Sequence, residues 1–501
     1  MSVDLHQSAA LPTQAQVDSE PYWVVVLPTA AFERQARDLP YGELMTRIYR
    51  REPEKTRERR PILLDLPNAA AGRVSLAALP ETMQAFDRLT LARQLIEPHR
   101  RFEPQALALC VHGFSASIAE QSAEALLAAV LAAAAVLPSY RSQDPAPRSI
   151  ERVSLYGCKV RHGFKRSFAE AEGNHVARRL TALPGNELTP ALYRKHVAVL
   201  AKTHGWRMRF LDVPALQRKQ AGAFLAVAQG SPEADAGIVH LRYRPPRKGK
   251  ARALALVGKG ICFDTGGVNL KPANFMLGMH KDMQGSAVAL GTLLALTRLE
   301  VDFPIECWLA IATNHIGPRA YKPNDVVRAG DGTTIEVVNT DAEGRMVLSD
   351  TLVLASQSKP ALIIDYATLT GSCKRALGNA YSGIFTNRRE WVTPLIDAGR
   401  DSGERVWPFP LDADFDEALE SGIADVKQCS EEGPADHILA ARFLQRFVKN
   451  DCPWIHIDLS SGNRKGGLAH VPTDITGFGV RYTTHLLLDK GILEWNLGTG
   501  G

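Results

Sequence analysis

Two short segments of this chain concentrate ionisable side chains among glycines. The first runs from Val257 to Pro272 as VGKGICFDTGGVNLKP and continues to Asp282, and the second is the heptapeptide NTDAEGR at residues 339–345. Both follow hydrophobic runs that predict buried strands. Charged groups that converge at strand ends need partners or a metal ion, because an unpaired buried charge is costly. The charged residues concerned are Lys259, Asp264, Lys271, Asp282, Asp341, Glu343 and Arg345.

The balance of charge within this set indicates what it could hold. Its carboxylates carry four negative charges, which two divalent cations would neutralise. If their stretch is extended, Asp341 and Glu343 point the same way. Bridging carboxylates can hold two metals about 3.5–4 Å apart, a spacing that clamps a nucleophilic water and a polarised carbonyl. Lys271 and Arg345 would remain as positive charge suited to a developing oxyanion or a bound anion.

Each segment also has a simpler interpretation. A Gly-Lys-Gly after a strand is typical of part of a nucleotide loop, but the GxGxxG spacing is not met here and no Gly-Lys-Ser or Gly-Lys-Thr follows. The alternation of Asp341, Glu343 and Arg345 is compatible with ordinary surface charge. Either interpretation is adequate for one segment alone. The convergence of both segments on strand ends favours a site.

The elements before these segments predict a mixed α/β domain. Tyr22–Leu27 and Ala106–Val111 have the composition of strands, and Leu126–Leu137 that of the helix behind them. A helical pattern over Ser167–Leu183 is followed by Pro184 and further residues that stop helices. We therefore predict an N-terminal domain over residues 1–166, an interdomain helix and linker over 167–190, and a catalytic domain over 191–501.

The elements after residue 190 alternate between short hydrophobic runs and amphipathic stretches. Hydrophobic strands that alternate with helices indicate a largely parallel sheet covered on both faces. The fold class is therefore α/β, with an N-terminal mixed α/β domain and a larger C-terminal α/β/α sandwich around a mostly parallel central sheet. Ligands of such sheets bind at the carboxyl ends of the strands. The predicted strands are Ala253–Val257, Cys307–Ala312, Leu362–Tyr366 and Trp454–Leu459, and the predicted helices are Ala287–Leu299, Arg345–Ser356 and His437–Val448.

Composition narrows the class of protein. The 501 residues include 59 Lys and Arg against 54 Asp and Glu, a net charge of +5. Residues 1–150 contain 16 Lys and Arg against 17 Asp and Glu, so they do not form a basic nucleic-acid-binding domain. The 7 cysteines are scattered without a CxxC pair, which suits a reducing compartment. The apolar run Ala125–Leu137 is shorter than the about 20 residues of a membrane span, and the N-terminus has no secretory pattern. We expect a soluble, cytoplasmic protein with no membrane segment.

The motifs resemble those of the leucine aminopeptidase (cytosol aminopeptidase) family. The family signature NTDAEGR is intact at residues 339–345, and the upstream Lys, Asp, Lys and Asp match the family's order and spacing. The likeness runs from about Asn174 to Arg481 and includes PGNELTP at 184–190 and DYATLTG at 365–371. The first 165 or so residues resemble the family's variable N-terminal domain in position and size only.

The resemblance implies a two-metal exopeptidase that removes N-terminal residues, with a broad, apolar preference, from peptide substrates. Two divalent metal ions, zinc, manganese or magnesium, would bind the protein, and bicarbonate held by Arg345 would serve as the base. Lys271 would stabilise the oxyanion. A homohexamer is also implied. The tighter metal would be held by Lys259, Asp264, Asp282 and Glu343, and the more exchangeable one by Asp264, Asp341 and Glu343. The pocket for the first side chain would be lined by Met279, Thr368, Leu369 and Gly371, with simple packing as the alternative for Met279.

Four residues depart from the family pattern. Gln284 stands where glycine is common, Ser460 and Ser461 replace the usual Ala-Gly, and His437 lies in a helix start that is usually rich in Thr or Ser. None is an expected metal ligand. These departures bear on the preference of the pocket and on the surroundings of the metal site.

Two other functions remain as alternatives. A DNA-binding regulator on an aminopeptidase-like scaffold would use the basic stretches Arg47–Arg60 and Lys159–Arg166, although the small net charge makes nucleic acid an unfavoured partner. A pseudoenzyme with a purely structural metal site is the other. The presence of every expected ligand and of both catalytic side chains argues against it.

Overall fold

The computed structural model describes residues 3–53, 57, 60–142, 149–246 and 252–497. The chain forms two compact units. The first contains residues 1–171, 400–403 and 465–476, and the second contains residues 172–399, 404–464 and 477–501. Part of the basic stretch Arg47–Arg60, namely residues 54–56 and 58–59, lies outside the described residues.

The first unit is built on a six-stranded sheet in the order β1-β6-β5-β2-β4-β3. All neighbouring strands are parallel except β3 and β4. The strands are β1 (Asp4–Ser8), β2 (Tyr22–Pro28), β3 (Ile62–Asp65), β4 (Arg73–Leu79), β5 (Ala106–Val111) and β6 (Arg152–Tyr156). The helices are Gln14–Ser19, Phe32–Ala36, Gly42–Arg51, Ala85–Arg100 and Ala116–Ala134, and Lys165–Ala182 continues into the second unit.

The central strands of this sheet are apolar on both faces because both faces are covered. In β2, Val24 and Val26 pack into one hydrophobic cluster, while Trp23 and Val25 pack into another. This burial explains the near-continuous hydrophobic sequence of a parallel strand. The predictions of β2 and β5 are confirmed.

The helix Ala116–Ala134 is the one described helix long and apolar enough to cross a membrane. Most of its residues are buried in the core of the first unit. The predicted span Leu126–Leu137 was wrong at both ends, because the helix begins at Ala116 and its backbone becomes extended at Ala135. The start of the helix was missed because its first two turns contain polar residues, which interrupt the apolar run.

The second unit contains an eight-stranded sheet in the order β15-β14-β17-β13-β9-β10-β8-β7. Its central strands, β17, β13, β9 and β10, are parallel, whereas β8, β7 and β14 add antiparallel pairs towards the edges. The strands are β7 (Arg207–Asp212), β8 (Gly237–Tyr243), β9 (Leu254–Asp264), β10 (Ile305–Asn314), β13 (Leu362–Ala367), β14 (Ser382–Thr386), β15 (Val406–Pro408) and β17 (Trp454–Asp458). A small sheet joins β11 (Val326–Arg328), β12 (Thr334–Glu336) and β16 (Val426–Lys427).

The longer helices of this unit lie between those strands in sequence. They are Pro190–Thr203, Gln284–Arg298, Glu343–Ser356, Val392–Ser402, Asp436–Gln445 and Val480–Leu488. Shorter ones are Val213–Arg218, Gly222–Ala228, Ala273–Met276 and Gly371–Leu377. The four predicted strands are the four central strands of the sheet, and the α/β class with its mostly parallel core is confirmed.

Neighbouring residues of the strand β9 face opposite sides of the sheet, and a helix packs against each side. A Cβ on Gly258 would lie 2.4 Å from Ser286 Cα, so glycine there admits the helix Gln284–Arg298. On the opposite face, Lys259 points towards the helix Glu343–Ser356. That helix begins at Glu343, so Asp341-x-Glu343 does not meet the condition of an extended stretch under which its two carboxylates would point the same way. The two carboxylates converge instead through a turn that leads into a helix.

Candidate active site with a metal centre

The buried ammonium group of Lys259 joins two of the expected ligands. Lys259 is 3% exposed, and its Nζ lies 2.8 Å from Asp282 Oδ2 and 2.8 Å from Glu343 Oε1. The Nζ also donates to the Thr368 carbonyl at 3.2 Å. Burial lowers the pKa of Lys259, but Asp282, Glu343 and Asp264 outweigh it and raise the pKa above the usual lysine value. Without metal, Lys259 therefore carries a proton that a metal would have to replace.

A second ammonium group, that of Lys271, joins the other two acids. Lys271 Nζ lies 2.8 Å from Asp264 Oδ2 and 2.5 Å from Asp341 Oδ1. Burial lowers the pKa of Lys271, but Asp264 and Glu343 raise it by more. The structure thus brings together six of the seven charged residues that the sequence analysis named, in two linked groups of ion pairs.

Three carboxylates of this cluster each have an oxygen without a well-formed hydrogen bond. Asp282 Oδ2, Asp341 Oδ1 and Glu343 Oε1 are buried and lack a hydrogen bond of acceptable geometry, although each faces an ammonium nitrogen. Burial raises the pKa of Asp282 to about 6 and, with help from Asp264, that of Glu343 to about 8. Burial also raises the pKa of Asp341. The two lysines do not supply enough positive charge for four acids, and additional cations would.

Three of these carboxylates meet the geometric requirement for one ion. Asp264, Asp341 and Glu343 can each place one oxygen so that all the chosen oxygens lie within 4.8 Å of one another. Oxygen ligands of this kind suit hard divalent cations, and a deprotonated lysine nitrogen adds affinity for borderline metals. The donor set therefore fits the two divalent ions that the resemblance implies.

Asn314 and Thr340 order the cluster, and the sequence did not single them out. Asn314 Nδ2 donates to Asp264 Oδ1 at 2.8 Å and to the Thr340 carbonyl at 3.0 Å. The Thr340 hydroxyl donates to the Gly266 carbonyl at 2.6 Å and accepts from the Asn269 amide. These bonds fasten the heptapeptide to the loop after β9. Asn314 lies at the end of β10, and that position was the signal that could have found it.

Arg345 lies beside the cluster with its own acidic partner. Its side chain is 2% exposed, Nη1 donates to the Gln428 carbonyl at 3.1 Å, and Nη2 contacts Asp436 Oδ1 at 2.6 Å. Burial lowers the pKa of Arg345, but Asp436, Cys429 and Glu343 raise it by more. Gln428 and Asp436 were also missed, because each is more than 80 residues further along the chain.

The expected pocket residues lie on two loops beside the cluster. Met279 lies in a single 3-10 turn and is half-buried, as are Thr368 and Leu369, whereas Gly371 is exposed. Thr368 Oγ1 donates to Asp282 Oδ1 at 2.7 Å, which joins the second loop to an expected metal ligand.

The buried carboxylate of Asp458 holds this second loop. Its Oδ1 accepts from the Leu369 amide at 3.1 Å, and its Oδ2 accepts from the Thr370 hydroxyl at 2.7 Å. Asp458 ends the strand β17, next to β13, from which the loop emerges. It is a further residue that the sequence did not identify.

The departures from the family pattern occupy structural positions. Gln284 is buried, and its Nε2 donates to the Gly462 carbonyl at 3.0 Å. Ser460 Oγ lies 3.0 Å from Cys373 Sγ, and Ser461 Oγ lies 2.6 Å from Ser382 Oγ. These contacts tie the loop after β17 to its neighbours.

The fourth departing side chain, His437, packs near the start of its helix. Its Nδ1 lies 3.2 Å from Ser372 Oγ, and its ring meets Phe409 edge-on at 4.3 Å between centroids. Burial lowers the pKa of His437. Burial therefore favours the neutral imidazole.

Comparison with known proteins agrees with this geometry. The model of the cytosol aminopeptidase family, catalytic domain, matches residues 175–484. A probable cytosol aminopeptidase of Parasynechococcus marenigrum is 40% identical over 366 residues, which is 71% of this chain and 74% of that protein. A second, from Persephonella marina, is 35% identical over 366 residues, 71% of this chain and 73% of that protein.

Solved structures extend the similarity to nearly the whole chain. A mutant of tomato leucine aminopeptidase has a TM-score of 0.85 at 25% identity and covers 97% of each chain. The bottromycin maturation enzyme BotP in complex with Mn has a TM-score of 0.81 at 29% identity, covering 95% of this chain and 100% of that one. This chain therefore belongs to the cytosol aminopeptidase family and is a metal-dependent aminopeptidase, a hydrolase that acts on peptides.

Proposed function

We propose that this aminopeptidase releases N-terminal residues, apolar ones preferentially, through water activated between two divalent metal ions. The observation that carries the proposal is the buried cluster of four carboxylates and two ammonium groups at the ends of the central strands. Three of the carboxylates can converge on one ion. A surface ion-pair network would not bury this excess of acid, because uncompensated buried charge is costly.

The ligand assignment follows the resemblance, residue by residue. The tighter ion would be held by Lys259, Asp264, Asp282 and Glu343, and the more exchangeable ion by Asp264, Asp341 with its carbonyl, and Glu343. When bound, the ions would lower the pKa of a water molecule and polarise the scissile carbonyl. Zinc, manganese and magnesium are the candidates. The Mn complex of BotP supports manganese as one of them.

Lys271 would act as the oxyanion stabiliser. Its ammonium lies between Asp264 and Asp341, within the group that would surround the reacting carbonyl. Once cations neutralise those carboxylates, the positive charge of Lys271 becomes available to the oxygen that develops negative charge. A fixed cation in a site that excludes water stabilises such a charge far more than it would in solution.

The substrate would be positioned by the loops at Met279 and at Thr368–Gly371. Met279 and Leu369 offer apolar surface for the first side chain, which is the basis of the proposed apolar preference. The Asp282 carboxylate accepts a hydrogen bond from the Thr368 hydroxyl, and this bond links the pocket to the metal ligands. The pocket and the reacting carbonyl would then be held in one orientation relative to each other. Fixing the reacting groups in this way raises the rate of the chemical step.

The remaining parts of the proposal concern the general base, the oligomeric state, the cellular location and DNA binding. The resemblance implies bicarbonate on Arg345, and this arginine already has the carboxylate of Asp436 as a partner. A cytoplasmic homohexamer with a separate N-terminal domain over residues 1–166 is proposed on the family resemblance. DNA binding is not proposed, since the relatives found are aminopeptidases and Arg50 and Arg166 are already paired with Glu33 and Glu170.

The direct test is hydrolysis of a panel of aminoacyl amides by the purified chain. The protein would be assayed as prepared, after chelation, and after addition of Zn²⁺, Mn²⁺ or Mg²⁺. We expect chelation to abolish the release of N-terminal residues, metal to restore it, and apolar first residues to be released fastest. A folded, metal-loaded sample that cleaves no substrate would overturn the proposal and favour a pseudoenzyme.

A further inference from the structure

The guanidinium of Arg345 is already engaged by groups of this chain. Nη2 contacts the Asp436 carboxylate at 2.6 Å and Nη1 donates to the Gln428 carbonyl. The side chain of Arg345 is 2% exposed. A free anion such as bicarbonate would therefore have to displace the Asp436 carboxylate. That carboxylate has a high effective concentration at Arg345, because it belongs to the same chain. The third nitrogen, Nε, is buried and has no hydrogen-bond partner among the described residues, but Asp436 Oδ1 already occupies Nη2, the other half of the fork that would bind an anion through two N–H groups. The residues around Arg345 therefore do not fit a bound bicarbonate ion while Asp436 is in place.

Arg345, the partner of the Asp436 carboxylate, is attached to the metal-ligand cluster by two routes. Arg345 is two residues from Glu343 and is close enough for that acid to help raise its pKa. The second route is Gln428, whose Nε2 donates to the Ala342 carbonyl at 3.0 Å and whose Oε1 accepts from the Asn339 amide at 3.1 Å. The partners of Arg345 are thus attached to the same heptapeptide that carries the ligands.

One oxygen of Asp436 is left for chemistry. Oδ1 faces Arg345, and within the described part of the chain Oδ2 has no hydrogen-bond partner. The side chain is 30% exposed, so water can reach it. Asp436 is also the first residue of the helix Asp436–Gln445, where a carboxylate is favoured by the helix dipole. Its position is therefore fixed from two sides while one oxygen stays open.

We propose that Asp436 is the base of the reaction, a carboxylate supplied by the chain where the resemblance implies bicarbonate. This inference rests on the proposed function. As the water oxygen forms its bond to the carbonyl carbon, the water proton passes to Asp436 Oδ2. When the C–N bond breaks, the same proton passes to the leaving nitrogen and the carboxylate is regenerated. Water and peptide are consumed, an amino acid and a shortened peptide are formed, and no further reactant is needed.

A purely structural role for the ion pair is the competing explanation. In that case Asp436 only orients Arg345, and removal of the carboxylate would be damaging whatever anion is present. If Asp436 is the base, a small carboxylate in the vacated space should replace it. Two variants separate these cases, because Asp436→Ala leaves room on Arg345, whereas Asp436→Asn fills the space with a group that cannot take the proton.

The experiment compares metal-loaded wild type and variants in buffer freed of carbon dioxide, with and without added bicarbonate or formate. We expect wild type to be fully active without bicarbonate. Both variants should lose about 10²–10⁴-fold in kcat, the range for loss of a general base. Added bicarbonate should restore Asp436→Ala by at least tenfold and leave Asp436→Asn unchanged. Asp416→Asn, which alters the Asp416–Arg442 ion pair alongside the same helix, should match wild type.

A binding measurement gives a readout that does not depend on turnover. Carbon-13 NMR of labelled bicarbonate should show no saturable binding to metal-free wild type and saturable binding to metal-free Asp436→Ala.

Distinct results overturn distinct conclusions. A wild type that is active only with bicarbonate, or an Asp436→Ala variant that keeps full activity without it, would overturn the role of Asp436 and leave the aminopeptidase proposal intact. A wild type that is inactive with every metal would overturn the aminopeptidase proposal itself. If Asp436→Ala does not fold, the wild-type dependence on bicarbonate still decides.

Discussion

Lys259 and Gly344 are complementary in shape, since the lysine side chain occupies the space where a Cβ at Gly344 would lie. That Cβ would come 2.6 Å from Lys259 Nζ and 2.7 Å from its Cε. Lys259 cannot retreat easily, because it is buried and held by Asp282 and Glu343. The glycine of the heptapeptide is thus required by a lysine that lies 85 residues earlier.

The substitution Gly344→Ala should therefore be harmful although it improves the local helix. Alanine is the better helix former by about 0.5–1 kcal/mol. We expect it nevertheless to displace the Lys259 nitrogen and to lower kcat about 10²-fold, the effect of a displacement of about 1 Å at a reacting centre. Metal affinity, measured by titration calorimetry, should fall in parallel.

The matched control is Gly422→Ala. A Cβ at Gly422 would meet nothing within 4 Å. Its activity and metal affinity should equal those of wild type. Unchanged kcat and metal affinity in Gly344→Ala would show that the Lys259 side chain makes room for the methyl group, and would contradict the requirement for glycine at this position.

The sequence was sufficient for the parts of the site that are local in the chain. Lys259 and Asp264 lie on one strand, and the heptapeptide is continuous, so residue type and spacing alone identified them. The parallel core was equally predictable, because strands buried on both faces are apolar throughout.

The remainder of the site depends on contacts between distant segments. Asp436 meets Arg345 across 91 residues, and Asn314 meets Asp264 across 50. An aspartate at a helix start and an asparagine at a strand end are common, so neither pattern indicates a role by itself. The local conformation of Glu343 was left open by the sequence, because a carboxylate two residues from another fits an extended strand and a helix start equally well.

Lys271→Ala should lower turnover while the protein stays folded. Loss of one oxyanion stabiliser costs about 10²–10³-fold in kcat. KM should change much less, because the ammonium acts mainly on charge that develops in the transition state. Steady-state kinetics on an aminoacyl amide, at saturating metal, would measure both constants.

Lys322→Ala serves as the control for that variant. Lys322 forms an exposed ion pair with Asp325 at 3.3 Å. Exposed pairs contribute little, so this variant should keep wild-type kinetics. A Lys271→Ala enzyme with wild-type kcat would remove Lys271 from the mechanism.

Asp458→Ala should loosen the loop that carries Thr368 and Leu369. The Leu369 amide and the Thr370 hydroxyl would lose their buried acceptor, which costs about 1–3 kcal/mol for each unsatisfied group. We expect a higher KM for apolar substrates and a lower unfolding midpoint, measured by kinetics and thermal denaturation. Asp416→Ala removes an ion pair elsewhere in the unit and should leave KM unchanged. An unaltered KM in Asp458→Ala would mean that this loop does not form the pocket.

His99 should make the first unit less stable in mild acid. The ring is fully buried, its Nε2 lies 2.8 Å from Ser75 Oγ, and burial, aided by Arg73, lowers the pKa of His99 to about 4. An unfolded histidine has a pKa of about 6.5, so between those values the unfolded chain binds the additional proton. Stability from this residue is therefore complete above pH 6.5 and is lost as the pH falls towards 4, by about 3 kcal/mol in all.

The test is the difference in pH dependence between wild type and His99→Gln, a neutral side chain that can still pair with Ser75. Urea unfolding of both proteins would be followed from pH 7.5 to pH 4. Because every other titrating group is shared, the difference between the two free energies of unfolding isolates His99. We expect wild type to be the more stable protein at neutral pH and to lose that advantage between pH 6.5 and 4. Parallel curves across this range would show that the buried imidazole is not held neutral by the fold.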